Sequence, residues 1–333
     1  MKISIVIPTY NRRDNLARLL ESLKKQTYKN FEVVIVDACS TDGTDMLPDE
    51  FKDSLAIKYI VQKGKGFTDA VNTGIQVSSG EIFLRADDDI TVTPDWLNAV
   101  NATFESSPKI GGVTGPVITP EEYLKNRDVF IFHEKFKKGN IFWKLLGKIY
   151  FDYFLEGQAF SVCKDFRSGA FSFGANFPDA LKIDKIIEVD HHESCNMAVR
   201  MDLLLKIGGF DDSYIVTSEF SDSDVAYKLR RLGFITVFNP MAIISHFPSK
   251  QGFFSKRFNS YHRIENFIRF YFRYIKPNTL DKATRFILYL GFQNCYFFYI
   301  FLTTGKIEAL GSIPSTIINL FKYSLRSIFK KEE

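Results

Sequence analysis

The sequence predicts an α/β fold: a Rossmann-like, mostly parallel sheet with helices on both faces, followed by a C-terminal helical extension. Three observations predict it. Short apolar runs alternate with segments of helical spacing over the first hundred residues, the pattern of strands joined by crossover helices. Polar clusters fall where the runs end. Beyond Pro248 the pattern changes to long aromatic segments studded with Arg.

Ile3-Ser4-Ile5-Val6-Ile7 reads as a buried parallel strand, ended by Pro8. Leu16, Leu19, Leu20 and Leu23 then recur at helical spacing. Phe31 to Val36 is the second strand, closing at Asp37, and Thr44 to Phe51 a short helix. Ile57 to Val61 and Glu81 to Leu84 are the third and fourth strands, with a helix over Phe67 to Val77 between them. Pro94 opens a helix reaching about Glu105. Residues 110–118 are extended. The aromatic, basic stretch 119–188 reads either as a cover of amphipathic helices or as an acceptor platform. Glu188 to Glu193 is rich in potential metal ligands but reads better as a strand end with a polar loop. Gly208-Gly209-Phe210 supplies a tight turn, and a helix over Val225 to Leu232 is closed by Gly233. Phe234 to Phe238 and Ala242 to Ser245 are short strands, and His246 ends the second. This divides the chain into a domain over 1–250, with 119–188 inserted, and a tail over 251–333.

The net charge of +4 hides an asymmetry: residues 251–333 hold 13 Lys/Arg and 5 Asp/Glu, or +8, while the first 250 hold 30 basic and 34 acidic residues, or −4. Such a tail suits an anionic surface. Its aromatics stand in long apolar runs, which fits a membrane surface and argues against nucleic acid. Phe286 to Leu302 is nearly all apolar, but 17 residues of helix reach only about 26 Å, short of a bilayer core of about 30 Å. Helices lying in the interface are therefore preferred over a spanning hairpin or a soluble cap. The four cysteines show no paired metal spacing, a pattern of reducing compartments, and no apolar leader precedes the first strand, so a cytoplasmic protein at the inner face of the membrane is expected.

Asp87-Asp88-Asp89 follows the fourth strand. Three adjacent carboxylates repel one another, and a divalent cation such as Mn²⁺ or Mg²⁺ would offset that cost while keeping positions open for phosphates. A solvated acidic turn is the bland alternative. Ligands in such sheets bind beyond the carboxyl ends of the strands, where Pro8-Thr9-Tyr10, Asp37 and the Asp triplet converge. No GxGxxG or Walker A loop is present, which disfavours dinucleotides and P-loop chemistry. Carboxylates with a metal, plus a strand-end Asp to accept a base N–H, fit a nucleotide diphosphate carrying a further group.

Ile7-Pro8-Thr9-Tyr10-Asn11-Arg12, Val36-Asp37-Ala38-Cys39-Ser40-Thr41-Asp42-Gly43-Thr44 and the acidic triplet together resemble the family 2 glycosyltransferases. The resemblance implies the GT-A fold and a nucleotide-diphospho-sugar donor. It places Pro8, Thr9, Tyr10 and Arg12 along the nucleotide, Asp37 on the base, and the D-x-D motif on Asp87 and Asp89. Asp89 would hold the metal, Asp87 would reach the ribose or the metal shell, and Asp88 has a lesser nucleotide role. His246 stands where metal-using members have a ligating His. Asn72 falls in a stretch like the family's Ala-Arg-Asn-x-Gly, in which Val71 replaces the Arg and Lys63, Lys65 or Arg85 could substitute. Asn196 to Arg200, running into Leu203 to Phe210, resembles the acceptor side. Ser218 to Asp224 resembles the Glu-Asp-x-Asp element, with Ser221 in place of the Glu, and puts Asp222 at the base position with Glu219 and Asp224 as the other candidates. The implied function is inverting, metal-dependent transfer to a lipid-linked or polysaccharide acceptor. A nucleotide-sugar-binding protein without turnover and a sugar-1-phosphate nucleotidyltransferase are the rivals; the latter needs a Gly-rich, Arg-containing loop that Pro8 to Asn11 does not provide.

Overall fold

The computed structural model describes residues 1–125, 128–214, 216, 218–248 and 259–329. Within these, eight strands form one sheet in the order β3-β2-β1-β4-β9-β6-β10-β8. They are β1 (Ile3–Thr9), β2 (Phe31–Asp37), β3 (Ile57–Val61), β4 (Ile82–Ala86), β6 (Ile110–Thr114), β8 (Ile187–Val189), β9 (Asn196–Arg200) and β10 (Ile235–Phe238). The pairs β1–β2, β1–β4, β2–β3 and β6–β10 are parallel, and the antiparallel pairs involve β9 or β8. A second sheet, β5 (Ile90–Val92), β11 (Ile244–His246) and β7 (Val117–Ile118), stands in the order β5-β11-β7.

The alternation of side chains along a strand divides the core between the two faces. Ile3, Ile5 and Ile7 pack with Leu16, Leu19 and Leu20 of α1 (Arg13–Lys24) and with Trp96 and Leu97 of α3 (Trp96–Ser106). Val6, Val34, Val36 and Phe83 pack against Ala70, Val71 and Ile75 of α2 (Phe67–Val77). On the expected insertion, α4 (Asp128–Lys138) and α5 (Ile141–Gly147) cover an aromatic cluster around Phe151 and Phe166. The short α6 (Met201–Lys206) leads to Gly208 and Gly209, whose φ angles of 81° and 71° make the anticipated turn, and α7 is Ser221–Arg231.

The tail comprises α8 (Ser260–Phe270), α9 (Leu280–Thr304) and α10 (Ser312–Phe329). The sequence also predicts a helix over Phe253 to Tyr274, of which residues 253–258 lie outside the described residues. The length argument for 286–302 needs correcting. Thr279 caps the helix seven residues upstream of its apolar run by accepting from the Lys282 N–H, so α9 has 25 residues and reaches about 37 Å. By length and composition alone it could cross a bilayer. The tail has its own core of Ile264, Phe267, Ile268, Tyr271, Phe286, Leu290 and Phe297, joined by Phe220 from the loop before α7.

Candidate functional site at the carboxyl edge of the sheet

Parallel register brings Thr9 beside Asp37 at the ends of β1 and β2. Asp37 is buried; it accepts from the Ser40 N–H at 3.0 Å, the Tyr59 hydroxyl at 2.6 Å and the Ser40 hydroxyl. Tyr10, 55% exposed, presents its ring at the same edge, beside Pro8. The middle Asp of the triplet has the largest local role. Asp88 is buried and accepts from the Thr9 hydroxyl at 2.8 Å and from Arg12 at 2.7 Å, and Arg12 also reaches Asp89 at 3.3 Å. Burial pushes the Asp88 carboxyl up to about 6, opposed by Arg12 and reinforced by Asp89. Asp88 thus ties the acidic turn to the first strand.

Asp87, Asp89 and His246 each bring a ligand-capable atom to within 4.8 Å of the others. Two elements do this. The antiparallel pairing of β11 with β5 sets His246 opposite Ile90, and the Phe247 N–H donates to the Asp89 carbonyl at 2.9 Å. His246 Nε2 lies 3.2 Å from Asp89, and its buried Nδ1 has no hydrogen-bond partner. Two carboxylates and an imidazole suit Mn²⁺ or Mg²⁺, so the residues present fit a divalent ion.

Arg85 was only one of three substitutes offered for the missing Arg at position 71. It lies buried 2.9 Å from Asp87 and stacks its guanidinium 4.1 Å from the centroid of Phe67. Its charge also acts on Asp222. Burial raises the Asp222 carboxyl above its ordinary range, while Arg85 and then His191 pull it down. Asp222 sits in the first turn of α7 with Oδ1 accepting from the Ser223 N–H at 3.0 Å. Arg85 is thus paired with the acidic turn and also acts on Asp222 through its charge.

Three expected site residues have other employment. Asp224 is fully buried and bound by Lys228 at 2.8 Å, Arg273 at 2.7 Å, and the hydroxyls of Tyr274 and Tyr214 at 2.6 and 3.2 Å. Through these partners Asp224 holds α7 to the tail. Glu219 pairs with Arg263 of α8 at 2.9 Å. Asn72 accepts from the Phe210 N–H and donates to the Phe210 carbonyl, each at 2.9 Å, and so clasps the glycine turn.

A mostly parallel sheet with polar and acidic groups gathered at its carboxyl edge, and a carboxylate facing them from a later helix, is the architecture of GT-A transferases. Solved structures share it: the Staphylococcus aureus TarS 1–349 in complex with UDP-GlcNAc (TM-score 0.60, 18% identity, covering 97% of this chain and 80% of that one) and the mannosyltransferase PcManGT of Pyrobaculum calidifontis in complex with GDP-Man and Mn²⁺ (TM-score 0.53, 17% identity, covering 99% and 88%). Residues 4–164, a little under half of the chain, match the family model of glycosyl transferase family 2. Among curated relatives, the glucosyl-dolichyl phosphate glucuronosyltransferase of Haloferax volcanii is 30% identical over 121 residues, 35% of this chain and 39% of that protein. The dolichol-phosphate mannosyltransferase of Pyrococcus furiosus is 36% identical over 99 residues, 29% and 28% of the two chains. The matched stretch spans well under half of either relative.

Proposed function

We propose that this protein is an inverting, metal-dependent glycosyltransferase that moves a sugar from a nucleotide diphosphate to a lipid-linked acceptor at a membrane surface. The observation that carries the reading is the double engagement of Arg85, which pairs at 2.9 Å with Asp87 of the Asp87/Asp89/His246 cluster and whose charge also acts on Asp222. Direct displacement needs a cationic clamp on the leaving diphosphate and a base for the incoming hydroxyl on the other side of the sugar. In this reading Tyr10 and Pro8 line the base and ribose, Asp37 accepts from the base, and Arg12 and Thr9 fix the turn that carries Asp87 and Asp89. A divalent ion held by Asp87, Asp89 and His246 would supply positive charge for the departing diphosphate. Asp222, with its proton affinity raised by burial, takes the acceptor proton. Arg85 keeps that carboxylate ionised and adds charge on the donor side.

The lipid-linked acceptor is supported by the two dolichol-related relatives and by the surface of the tail. Ile287, Leu288, Phe298, Tyr299 and Leu302 of α9 are exposed, as are Ile313, Ile317, Ile318 and Phe321 of α10. Phe132, Tyr150 and Phe154 of the insertion pack on Phe292 of α9, and Ile141, Phe142 and Leu145 of α5 are exposed close by in sequence to Lys137, Lys138, Lys144 and Lys148. Apolar side chains interleaved with basic ones suit the cytoplasmic face of an anionic membrane.

The test is release of free nucleoside diphosphate by the full chain from a panel of UDP- and GDP-sugars, with Mn²⁺ and vesicles containing a polyprenyl phosphate. Acceptor-dependent release that Asp222→Asn abolishes, with donor binding intact, is expected. Donor binding without any release would leave a binding protein and overturn the reading.

A further inference from the structure

We propose a second metal site, selective for Zn²⁺, built from Cys163, His191 and Glu193 and distinct from the oxygen-rich cluster at the acidic turn. Each of the three offers one ligand atom, and these atoms lie within 4.8 Å of one another. Cys163 and His191 are buried and Glu193 is half-buried. Asp165 supplies a second, independent indication. Its Oδ1 lies 3.0 Å from His191 Nδ1, and both that nitrogen and Asp165 Oδ2 are buried without a hydrogen-bond partner. A carboxylate on one ring nitrogen, leaving the other for a metal, is the usual outer partner of a metal-bound histidine.

The donor set decides the metal. Thiolate, imidazole and carboxylate together suit Zn²⁺, whereas Mg²⁺ and Mn²⁺ prefer oxygen. Three protein ligands leave a fourth position for a water. The ligands come from two segments already locked together without an ion. The Asp190 N–H donates to the Cys163 carbonyl at 2.9 Å, and the Asp165 N–H donates to Asp190 Oδ2 at 3.0 Å. The Lys164 N–H donates to the Ser172 hydroxyl at 2.8 Å, and the Glu193 N–H to the Thr114 hydroxyl at 3.0 Å. Cys163 itself holds φ at 46°, an unfavourable left-handed conformation for a non-glycine residue, and such strain gathers where a side chain must be aimed. Since Cys163 and His191 are 28 positions apart, no ligand spacing announces the site.

The probes are Co²⁺ and Zn²⁺ added to the metal-free full chain. Co²⁺ should give a thiolate-to-metal charge-transfer band that Zn²⁺ removes. Asp89→Ala should keep that band and Cys163→Ser should lose it. A band that survives Cys163→Ser would move the thiolate to another cysteine and overturn the assignment. If that variant fails to fold, X-ray absorption of the Zn²⁺-loaded wild-type chain decides. One sulfur at about 2.3 Å with a nitrogen and oxygen shell is expected; a shell of nitrogen and oxygen alone overturns the site. None of these readouts depends on glycosyl transfer, so the site stands or falls apart from the proposed function.

Discussion

Asp88 and Asp224 are both buried carboxyls of the site region with different partners. Asp88 binds its proton more tightly folded, at about 6, than its ordinary 3.8. Its contribution to stability is therefore complete below about pH 4 and is lost as pH rises through about 6. The unfolding free energy measured across that window should fall by an amount on the order of 2–3 kcal/mol from this group, and Asp88→Asn should flatten the fall. Asp224 is surrounded by Lys228, Arg273 and two tyrosine hydroxyls. Asp224→Ala leaves buried charge unpaired and should cost about 3 kcal/mol in urea unfolding. Asp222→Asn should behave differently, since the amide relieves a carboxylate that burial disfavours: equal or higher thermal stability with transfer abolished. A loss of stability like that of Asp224→Ala would make Asp222 a structural residue.

At the scale of elements, the sequence was readable where burial writes itself into composition. The parallel strands β1, β2 and β4 are covered on both faces, so they read as apolar runs, and their ends located Thr9, Asp37 and the Asp triplet. His246 was legible through resemblance, and the β5–β11 pairing accounts for its place beside Asp89. What stayed hidden depends on partners distant in sequence. Glu219 and Asp224 look like helix-start carboxylates until Arg263 and Arg273 arrive from 44 and 49 residues away. Asn72 looks like a ligand contact until the turn at Phe210 reaches it across 138 residues. These long-range pairs make α8 and the turn after it a brace for the element that carries Asp222. Phe220 stacks on Phe270 with centroids 5.0 Å apart, and Arg273 reaches Asp211 at 2.6 Å as well as Asp224. Arg273→Ala should therefore lower kcat about tenfold or more with the donor KM little changed, because misplacing a catalytic group is costly even when binding is intact. An unchanged kcat would show the brace to be dispensable.

For the whole molecule, the exposed apolar residues of α9 and α10 are expected to seat the protein on lipid, assisted by α5. Replacing Ile141, Phe142 and Leu145 together by Ser should weaken co-sedimentation with anionic vesicles by about tenfold or more, from the apolar area withdrawn. Added salt should weaken it further if the neighbouring lysines take part. Equal binding by the triple variant would confine the contact to the tail.

The salt bridges between α7 and the tail bear on how such chains can be recombined. A cut near residue 250, where composition shifts, looks like a natural seam for exchanging one tail for another. Yet the buried Asp224 would then be cut off from Arg273 and Tyr274, and Glu219 from Arg263. A chimera made at that seam inherits uncompensated negative charge beside Asp222 unless the donated helix brings matching groups. Tail and transferase body are therefore one heritable unit, and grafting experiments should carry both halves of each ionic contact.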